Sequence, residues 1–175
     1  CKSPHINLYK EPSYKSKISS QIIYGEKFKI LLKNKNWLKI KTSFDGYIGY
    51  VKKINYVNEF KPTHKVKKIF AIVYKKPNKN FKIKKKLSFC SFISVKKAVK
   101  NFYKFDNYWI RKNDLAPINK TENIFSKIKI FKGVKYKWGG VSFRGIDCSA
   151  LVQICYKYNN KFCPRDTKDQ IKFFK

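Results

Sequence analysis

The sequence predicts a mainly β N-terminal part that contains two small β-barrels, followed by a helical C-terminal segment. Three observations lead to this fold class. Short runs alternate apolar and polar residues, one set of motifs returns 65 residues later, and the spacing of apolar residues becomes helical after Pro117. Apolar residues make up 43% of the 175 residues, which is enough to fill packed cores and excludes a globally disordered chain.

The first predicted barrel rests on three short strands. Residues 37–42 alternate apolar and polar side chains, as a half-buried strand does. Asp45-Gly46 is a tight-turn signal, and residues 47–51 supply the next strand of the hairpin. Residues 27–32 supply a further strand upstream.

A second copy of this pattern follows the first. The matched segments are residues 9–12 and 74–77, 36–39 and 101–104, and 49–51 and 108–110. The first two pairs share an offset of 65, and a loop deletion explains the slightly shorter offset of the third. Two diverged copies of one small barrel account for the repeat. The predicted domains are residues 1–59, 60–117 and 118–175.

The C-terminal segment is predicted to contain two helices separated by a loop. Residues 121–131 predict a short helix with Thr121 as its N-cap. Four of the seven glycines then lie between Gly133 and Gly145, which predicts a loop whose backbone turns tightly or approaches another group closely.

The second helix is predicted to begin at Cys148, with Asp147 as its N-cap. Apolar residues recur at helical spacing in its sequence, at positions 150, 151, 154, 155 and 158. Unpaired backbone N–H groups and the positive end of the helix dipole favour the thiolate over the thiol in such a first turn. The same N–H groups can stabilise an oxyanion. Cys148 is therefore the candidate nucleophile.

Several motifs resemble known families. Tyr136-Lys137-Trp138-Gly139-Gly140, Gly145-Ile146-Asp147-Cys148-Ser149, and Pro164-Arg165-Asp166-Thr167 with Gln170 resemble the N-terminal half of the NlpC family of papain-like cysteine peptidases. Tyr24-Gly25-Glu26, the strand around Trp37, and the hairpin at residues 45–50 resemble bacterial SH3-like domains. One departure is visible, since Ala150 stands where the family usually has Gly.

The resemblance implies two SH3-like barrels followed by the helical N-terminal half of an α+β papain-like NlpC domain whose sheet is missing. Members with this arrangement resemble γ-D-glutamyl-L-diamino acid endopeptidases of murein recycling. The implied function is a cysteine peptidase that hydrolyses peptidoglycan stem peptides at the γ-D-Glu–diamino acid bond through a thioacyl intermediate. The alternative is a non-catalytic wall-binding module with SH3-like repeats and a degenerate peptidase remnant.

The resemblance also implies roles for individual residues. Cys148 is the nucleophile, and its own N–H lies near the oxyanion. Tyr136 polarises the carbonyl or positions the substrate, Asp147 reaches a substrate amine, and Ser149 and Thr167 donate hydrogen bonds to the peptide. The alternatives are that Tyr136 only packs and that Asp147 and Thr167 only cap helices.

In the first SH3-like domain, Asp45 and Tyr47 are the residues implied to close one end of the groove and to select peptides with a free amino terminus. The alternative for Asp45 is an ordinary turn residue before glycine. Trp138 is interpreted as structural, Cys155 as a core residue and Cys163 as a packed loop residue.

The expected catalytic base is missing from the sequence. A cysteine nucleophile needs a base, normally histidine, and the family supplies it after the cysteine helix. His5 and His64 both precede Cys148 and are interpreted as exposed loop residues. We therefore expect that the sequence is a truncated record and that this chain alone lacks hydrolase activity.

The resemblance implies murein peptides or peptidoglycan as partners, and the composition indicates no nucleic acid and no membrane span. The net charge is +32, but 39 of the 42 basic residues are lysines spread along the chain, which indicates a compositional bias rather than a nucleic-acid interface. The longest apolar run, residues 69–74, is too short to cross a bilayer. Five cysteines without C-x-x-C spacing predict reduced thiols, with no metal site and no cofactor. The expected location is bacterial, in the cytoplasm for murein recycling or in the periplasm. The oligomeric state is not indicated.

Overall fold

The computed structural model describes residues 1–52 and 54–175. Within these residues the chain forms 15 β-strands and two α-helices, which confirms the prediction of a mainly β molecule. None of the helices in these two ranges has the length and apolar character needed to cross a membrane.

The first sheet contains five antiparallel strands. They are β1 His5–Tyr9, β2 Ile18–Ile23, β3 Phe28–Asn34, β4 Trp37–Thr42 and β5 Ile48–Lys52. Their spatial order is β2-β1-β5-β4-β3. The alternation in β4 has the predicted consequence, because Leu38 and Ile40 are buried among Leu8, Ile22 and Val51 while Lys41 is exposed. The three strands predicted in this part are confirmed to within two residues at their ends.

The Asp45-Gly46 turn is confirmed between β4 and β5. Gly46 has a φ of +71°, a conformation that costs a glycine little and other residues more. The N–H of Tyr47 donates to Thr42 Oγ1 at 2.8 Å, which closes the turn.

The middle part of the chain forms two sheets. Its strands are β6 His64–Val66, β7 Phe70–Tyr74, β8 Lys82–Ser88, β9 Phe92–Ile93, β10 Lys97–Val99, β11 Phe102–Phe105, β12 Tyr108–Arg111 and β13 Leu115–Pro117. One sheet has the order β10-β11-β12-β7-β8, and the other has the order β13-β6-β9. Val73, Leu87, Phe105 and Ile110 form the centre of the core between them, each 0% exposed.

The two five-stranded sheets have the same strand order, as a duplicated unit predicts. The order β2-β1-β5-β4-β3 in the first corresponds to β8-β7-β12-β11-β10 in the second. Strand β7 lies at the predicted offset of 65 residues from β1. The closure of each unit into a barrel and the domain boundaries at residues 59 and 117 stay predictions.

The C-terminal segment contains a small hairpin and two helices. These elements are β14 Val141–Ser142, β15 Gly145–Ile146, α1 Cys148–Tyr158 and α2 Thr167–Phe173. The predicted α-helix after Thr121 is wrong, because the chain there forms turns and a 3-10 helix at Ile128–Phe131. Asn123 Oδ1 accepts from the N–H of Phe125 at 3.2 Å, a local bond that competes with a helix start at Thr121.

The apolar face of α1 packs against both preceding parts of the chain. Ala150, Ile154 and Tyr158 form one cluster with Ile23 of β2 and with Phe89. The rings of Phe89 and Tyr158 are stacked, with centroids 4.7 Å apart. The sequence placed this face on a missing sheet, whereas these residues pack on parts that the chain contains. The existence of a further sheet stays a prediction.

Candidate active site

Cys148 is exposed and is the first residue of α1, as predicted. The predicted N-cap is also confirmed, because Asp147 Oδ1 accepts from the N–H of Ala150 at 2.8 Å. Within residues 1–52 and 54–175, the N–H groups of Cys148 and Ser149 have no acceptor. These free donors and the positive end of the helix dipole are the features that favour a thiolate and can bind an oxyanion.

Cys148 differs from three other cysteines in its surroundings. Cys90, Cys155 and Cys163 are buried, which confirms the interpretation of Cys155 and Cys163 as packed residues. Burial raises the pKa of the Cys90 thiol to about 12 and the pKa of Cys155 and Cys163 to about 11. All five cysteines are free thiols, and the described part of the chain has no cluster of residues that could hold a metal ion. Reactivity at neutral pH is therefore expected at exposed Cys148 rather than at these three.

The carboxylate of Asp147 is bonded on both oxygens. Oδ2 accepts from the N–H of Gly139 at 2.9 Å, and Oδ1 accepts from Ser149 Oγ at 3.2 Å. Arg165 donates to both oxygens through its two terminal nitrogens. The side chain thus joins the glycine-rich loop, the start of α1 and the loop before α2. The predicted contact of Asp147 with a substrate amine stays a prediction.

The glycine-rich loop is held against the residues that precede Cys148. Gly139 has a φ of +70°, and a Cβ on Gly140 would lie 2.4 Å from the carbonyl oxygen of Gly145. The N–H of Asp147 donates to the carbonyl oxygen of Gly140 at 3.2 Å. The predicted tight turning and close approach are confirmed at these two glycines, and both conditions exclude larger residues.

Tyr136 and Trp138 are exposed, by 65% and 71% respectively. Tyr136 forms an isolated parallel bridge with Ile146, two residues before Cys148. The interpretation of Trp138 as structural is not supported within the described residues, because its indole is exposed. The turn at Gly139 directs the neighbouring backbone, not this ring, to Asp147. Packing as the only role of Tyr136 is likewise not supported by its exposure.

Ser149 and Thr167 have different surroundings. Ser149 is buried, and its hydroxyl donates to Asp147 and accepts from Arg165 Nη1 at 2.9 Å. Thr167 is exposed and is the first residue of α2, whose N-cap is Asp166. The alternative of Thr167 as the helix cap is therefore wrong. Hydrogen bonds from Ser149 and Thr167 to a peptide stay predictions.

The hairpin that carries Asp45 and Tyr47 contacts the C-terminal helices. Asp45 Oδ2 accepts from Gln153 Nε2 of α1 at 2.8 Å. The Tyr47 hydroxyl donates to Asp166 Oδ2 at 3.5 Å. Burial, and next the charge of Asp166, raise the pKa of Tyr47, so its hydroxyl stays protonated at neutral pH. The structure thus brings the two residues of the first sheet to the same side of the molecule as the start of α2.

Sequence reasoning assigned no role to Arg165 or Asp166. Arg165 is one of three arginines in a chain with 39 lysines, and that rarity was a usable signal for a site that needs a planar guanidinium. Asp166 is half-buried and directly follows Arg165. No sequence signal separated its carboxylate from that of an ordinary helix cap.

The two histidines lie in strands rather than in the expected exposed loops. His5 is in β1, and His64 is in β6, where its ring lies 4.8 Å from that of Tyr103. Burial lowers the pKa of both residues, and for His5 the charges of Arg144 and Lys137 add to the effect. Neither histidine is hydrogen-bonded to Cys148 in the described ranges.

Comparisons with known proteins agree with this organisation. Residues 8–53 match the model of the bacterial dipeptidyl-peptidase Sh3 domain, and residues 133–175 match the model of the NlpC/P60 family. The γ-D-glutamyl-L-lysine dipeptidyl-peptidases of Bacillus subtilis (strain 168) and Bacillus cereus (strain ATCC 10987 / NRS 248) are each 27% identical over 89% of this chain.

The chain spans somewhat more than half of these relatives, 58% of the first and 54% of the second. A crystal structure of an NlpC/P60 family protein from Bacillus cereus ATCC 10987 superposes with a TM-score of 0.84. It is 20% identical in sequence, and the match covers 98% of this chain and 75% of that chain. The fold of these residues is therefore shared with that protein. The comparisons therefore support an NlpC/P60 segment at residues 133–175, preceded by an SH3 domain at residues 8–53.

Proposed function

We propose that the protein containing this chain is a cysteine peptidase that hydrolyses peptidoglycan stem peptides at the γ-D-Glu–diamino acid bond. The observation that carries the proposal is exposed Cys148 at the start of α1, beside free backbone N–H groups. The two Bacillus relatives are named γ-D-glutamyl-L-lysine dipeptidyl-peptidases, which supports this substrate class.

In the proposed reaction, the Cys148 thiolate attacks the carbonyl carbon of the γ-glutamyl bond. The free N–H groups of Cys148 and Ser149 bind the oxyanion. Exposed Tyr136, whose backbone pairs with Ile146, positions the substrate. The C–N bond then breaks, the amine of the diamino acid leaves with a proton, and a thioester remains on Cys148. Water releases the acyl product and restores the thiol.

A substrate with a free amino terminus needs an anionic group to receive it. Both oxygens of Asp147 are occupied by protein donors, whereas the half-buried carboxylate of Asp166 has Tyr47 as its side-chain partner. We therefore propose Asp166 with Tyr47 as the acceptor of the amine, with Asp147 acting through the geometry of the turn. Asp45 supports this end of the site through Gln153.

The 175 residues are proposed to be insufficient for turnover. A thiolate nucleophile needs a base, and within the described ranges neither histidine is hydrogen-bonded to Cys148. The base is then expected from residues outside this sequence. Measurable hydrolysis of L-Ala-γ-D-Glu-L-Lys by the 175-residue chain would contradict this part of the proposal.

The decisive test compares Cys148→Ala with Cys163→Ala in the complete protein. Cys163 is 0% exposed and lies in the same segment, which makes it a matched control. Hydrolysis of the tripeptide should fall by at least about a thousandfold in Cys148→Ala, since losing a nucleophile leaves only the contributions of binding and of the oxyanion donors. Cys163→Ala should keep most of its activity. Unimpaired hydrolysis by Cys148→Ala would end the peptidase proposal and favour the non-catalytic wall-binding module.

A further inference from the structure

Arg165 is a buried arginine that contacts the residues on both sides of Cys148. Its side chain is 3% exposed. Nη1 and Nη2 donate to the two oxygens of Asp147 at 3.0 and 2.6 Å, and Nη1 also donates to Ser149 Oγ at 2.9 Å. A planar guanidinium can satisfy a carboxylate in this two-pronged way, and the ammonium group of lysine cannot.

The charge of Arg165 has a direct consequence for Cys148. The Asp147 carboxylate directly precedes the nucleophile and is 8% exposed, so solvent screens its charge poorly. A negative charge next to a thiol disfavours the thiolate. The guanidinium cancels this charge and leaves the N–H groups of the helix start as the dominant local field.

The third contact of Arg165 reaches the first sheet. Its Nε donates to Ser20 Oγ of β2 at 2.9 Å, and Ser20 is itself buried. Gln21, the next residue of β2, accepts from the N–H of Val141 through its Oε1 at 3.1 Å. The orientation of the guanidinium is thus set by the SH3 part as well as by the NlpC/P60 segment.

We propose that Arg165 is a positioning residue for Cys148. The guanidinium cancels the charge of Asp147 and holds the turn from Asp147 to Ser149 in place. Through Ser20, it couples the reactivity of Cys148 to the attachment of the first sheet. The inference rests on the proposed role of Cys148 as the nucleophile.

The test measures the rate at which iodoacetamide alkylates Cys148 in the 175-residue chain between pH 5 and pH 10, with the peptide identified by mass spectrometry. In Arg165→Met, the rate at pH 7 should fall about tenfold and the pH profile should move to higher pH, since one uncompensated charge near a thiol changes the thiolate fraction by about this factor. Arg165→Lys should lie between this variant and the unchanged chain. Arg144→Met is the matched control, because exposed Arg144 is three residues from Asp147 and does not contact it; its profile should stay unchanged.

A charge-balanced pair of variants decides the question if Arg165→Met does not fold. Asparagine can still cap α1, so Asp147→Asn and Asp147→Asn/Arg165→Gln both remain compatible with the helix start. The single variant leaves the guanidinium charge uncompensated, and its profile should move to lower pH than that of the double variant by about one pH unit. Coincident profiles of these two variants would overturn the proposal. So would a folded Arg165→Met with an unchanged profile, or an equal shift in Arg144→Met.

Ser20→Ala tests the coupling to the first sheet. The rate of alkylation should fall about twofold to threefold, because one of the hydrogen bonds that orient the guanidinium is lost. An unchanged rate would remove the coupling and leave the charge role standing. All of these measurements follow the thiol directly. A failure of the peptidase proposal in the Cys148→Ala test is therefore distinguishable from a failure of the Arg165 proposal.

Discussion

The hairpins that carry Asp45 and Asp106 occupy equivalent places in two sheets of the same strand order, but they contact different parts of the molecule. Asp45, between β4 and β5, accepts from Gln153 of α1. Asp106, between β11 and β12, accepts from Lys2 and from the hydroxyl of Tyr24. The two sheets therefore share a strand order and differ in the contacts of their hairpins. The neighbour that each hairpin meets decides whether its carboxylate supports the candidate site or joins the two sheets.

The same difference extends over the first part of the chain, which contains β1 to β5, and the second part, which contains β6 to β13. The first part directs several polar side chains at the start of α1 and the loops beside it, namely Ser20, Gln21, Asp45 and Tyr47. The second part meets α1 mainly through packing, by Phe89 and Cys90. Its buried Lys65 donates to the carbonyl oxygen of Tyr158, at the other end of the helix. Substitutions in the first part should therefore affect the candidate site, and substitutions in the second part should affect stability alone.

The largest expected effect is at the buried ion pair between Glu26 of the first part and Lys157 of α1. Both side chains are about one tenth exposed, and the Lys157 ammonium also lies 5.0 Å from the ring centroid of Phe44. Glu26→Ala would leave the buried Lys157 side chain without its partner. Burial, and next the charge of Arg165, already lower the pKa of Lys157 to about 7, so the amine can lose its proton, and the variant should lose about 2–3 kcal/mol of unfolding free energy. Urea unfolding measures the loss.

Two variants control this experiment. Glu11 is exposed in a loop of the same part, so Glu11→Ala should change stability by less than about 0.5 kcal/mol. Glu26→Ala/Lys157→Met removes both charges and should recover part of the loss, since apolar replacement of a whole buried pair is often neutral. The rest should remain, because the N–H of Ile23 loses Glu26 Oε2 as its acceptor in both variants. Equal losses in Glu26→Ala and Glu11→Ala would show that the ion pair does not attach α1 to the first part.

Many of the elements in this comparison could be predicted from the sequence, because the signals for strands, turns and helix starts are local. The alternation in residues 37–42, the Asp45-Gly46 turn and the helix start at Asp147 depend on neighbours within a few residues, and all three are confirmed. The offset of 65 also follows from sequence alone, since β1 and β7 carry the same Tyr-Lys-x-Pro ending.

The errors and omissions arise from contacts between distant residues. Arg165 and Ser20 are 145 residues apart, and no periodicity indicates that they meet. The segment after Thr121 also meets a distant residue, since the Asn159 side chain accepts from the N–H of Glu122 at 2.6 Å, a contact that only the folded chain supplies. The exposure of Trp138 was missed for a different reason, because a large aromatic residue gives no local signal of the side it faces.

A smaller effect is expected when the two hairpin carboxylates are compared directly. Asp45→Asn removes the charge that accepts from Gln153, and about 1–2 kcal/mol of unfolding free energy should be lost. Alkylation of Cys148 should also slow in this variant, since Gln153 lies in α1 five residues after Cys148. Asp106→Asn should lower stability and leave the alkylation rate unchanged. If the two variants changed the alkylation rate equally, the functional difference between the hairpins would be refuted.

The smallest effect is the pH dependence that Asp106 contributes. Burial acts to raise the pKa of Asp106, but hydrogen bonds from Lys2 and Tyr24 and the charges of Lys2 and Lys85 outweigh it and lower the pKa below its usual 3.8. The folded state thus favours the charged form. The stability contributed by Asp106 is present above the unfolded pKa and is lost as the pH falls through the folded pKa.

The difference in melting temperature between the unchanged chain and Asp106→Asn should therefore be largest above about pH 5 and should shrink below about pH 4. Asp114 provides a control of opposite sign, because burial raises its pKa despite the nearby charges of Arg111, Lys68 and Lys67. For Asp114→Asn, the variant should gain stability relative to the unchanged chain as the pH rises through this range. Parallel curves for the two variants would contradict the view that the second hairpin joins the two sheets through a charged carboxylate.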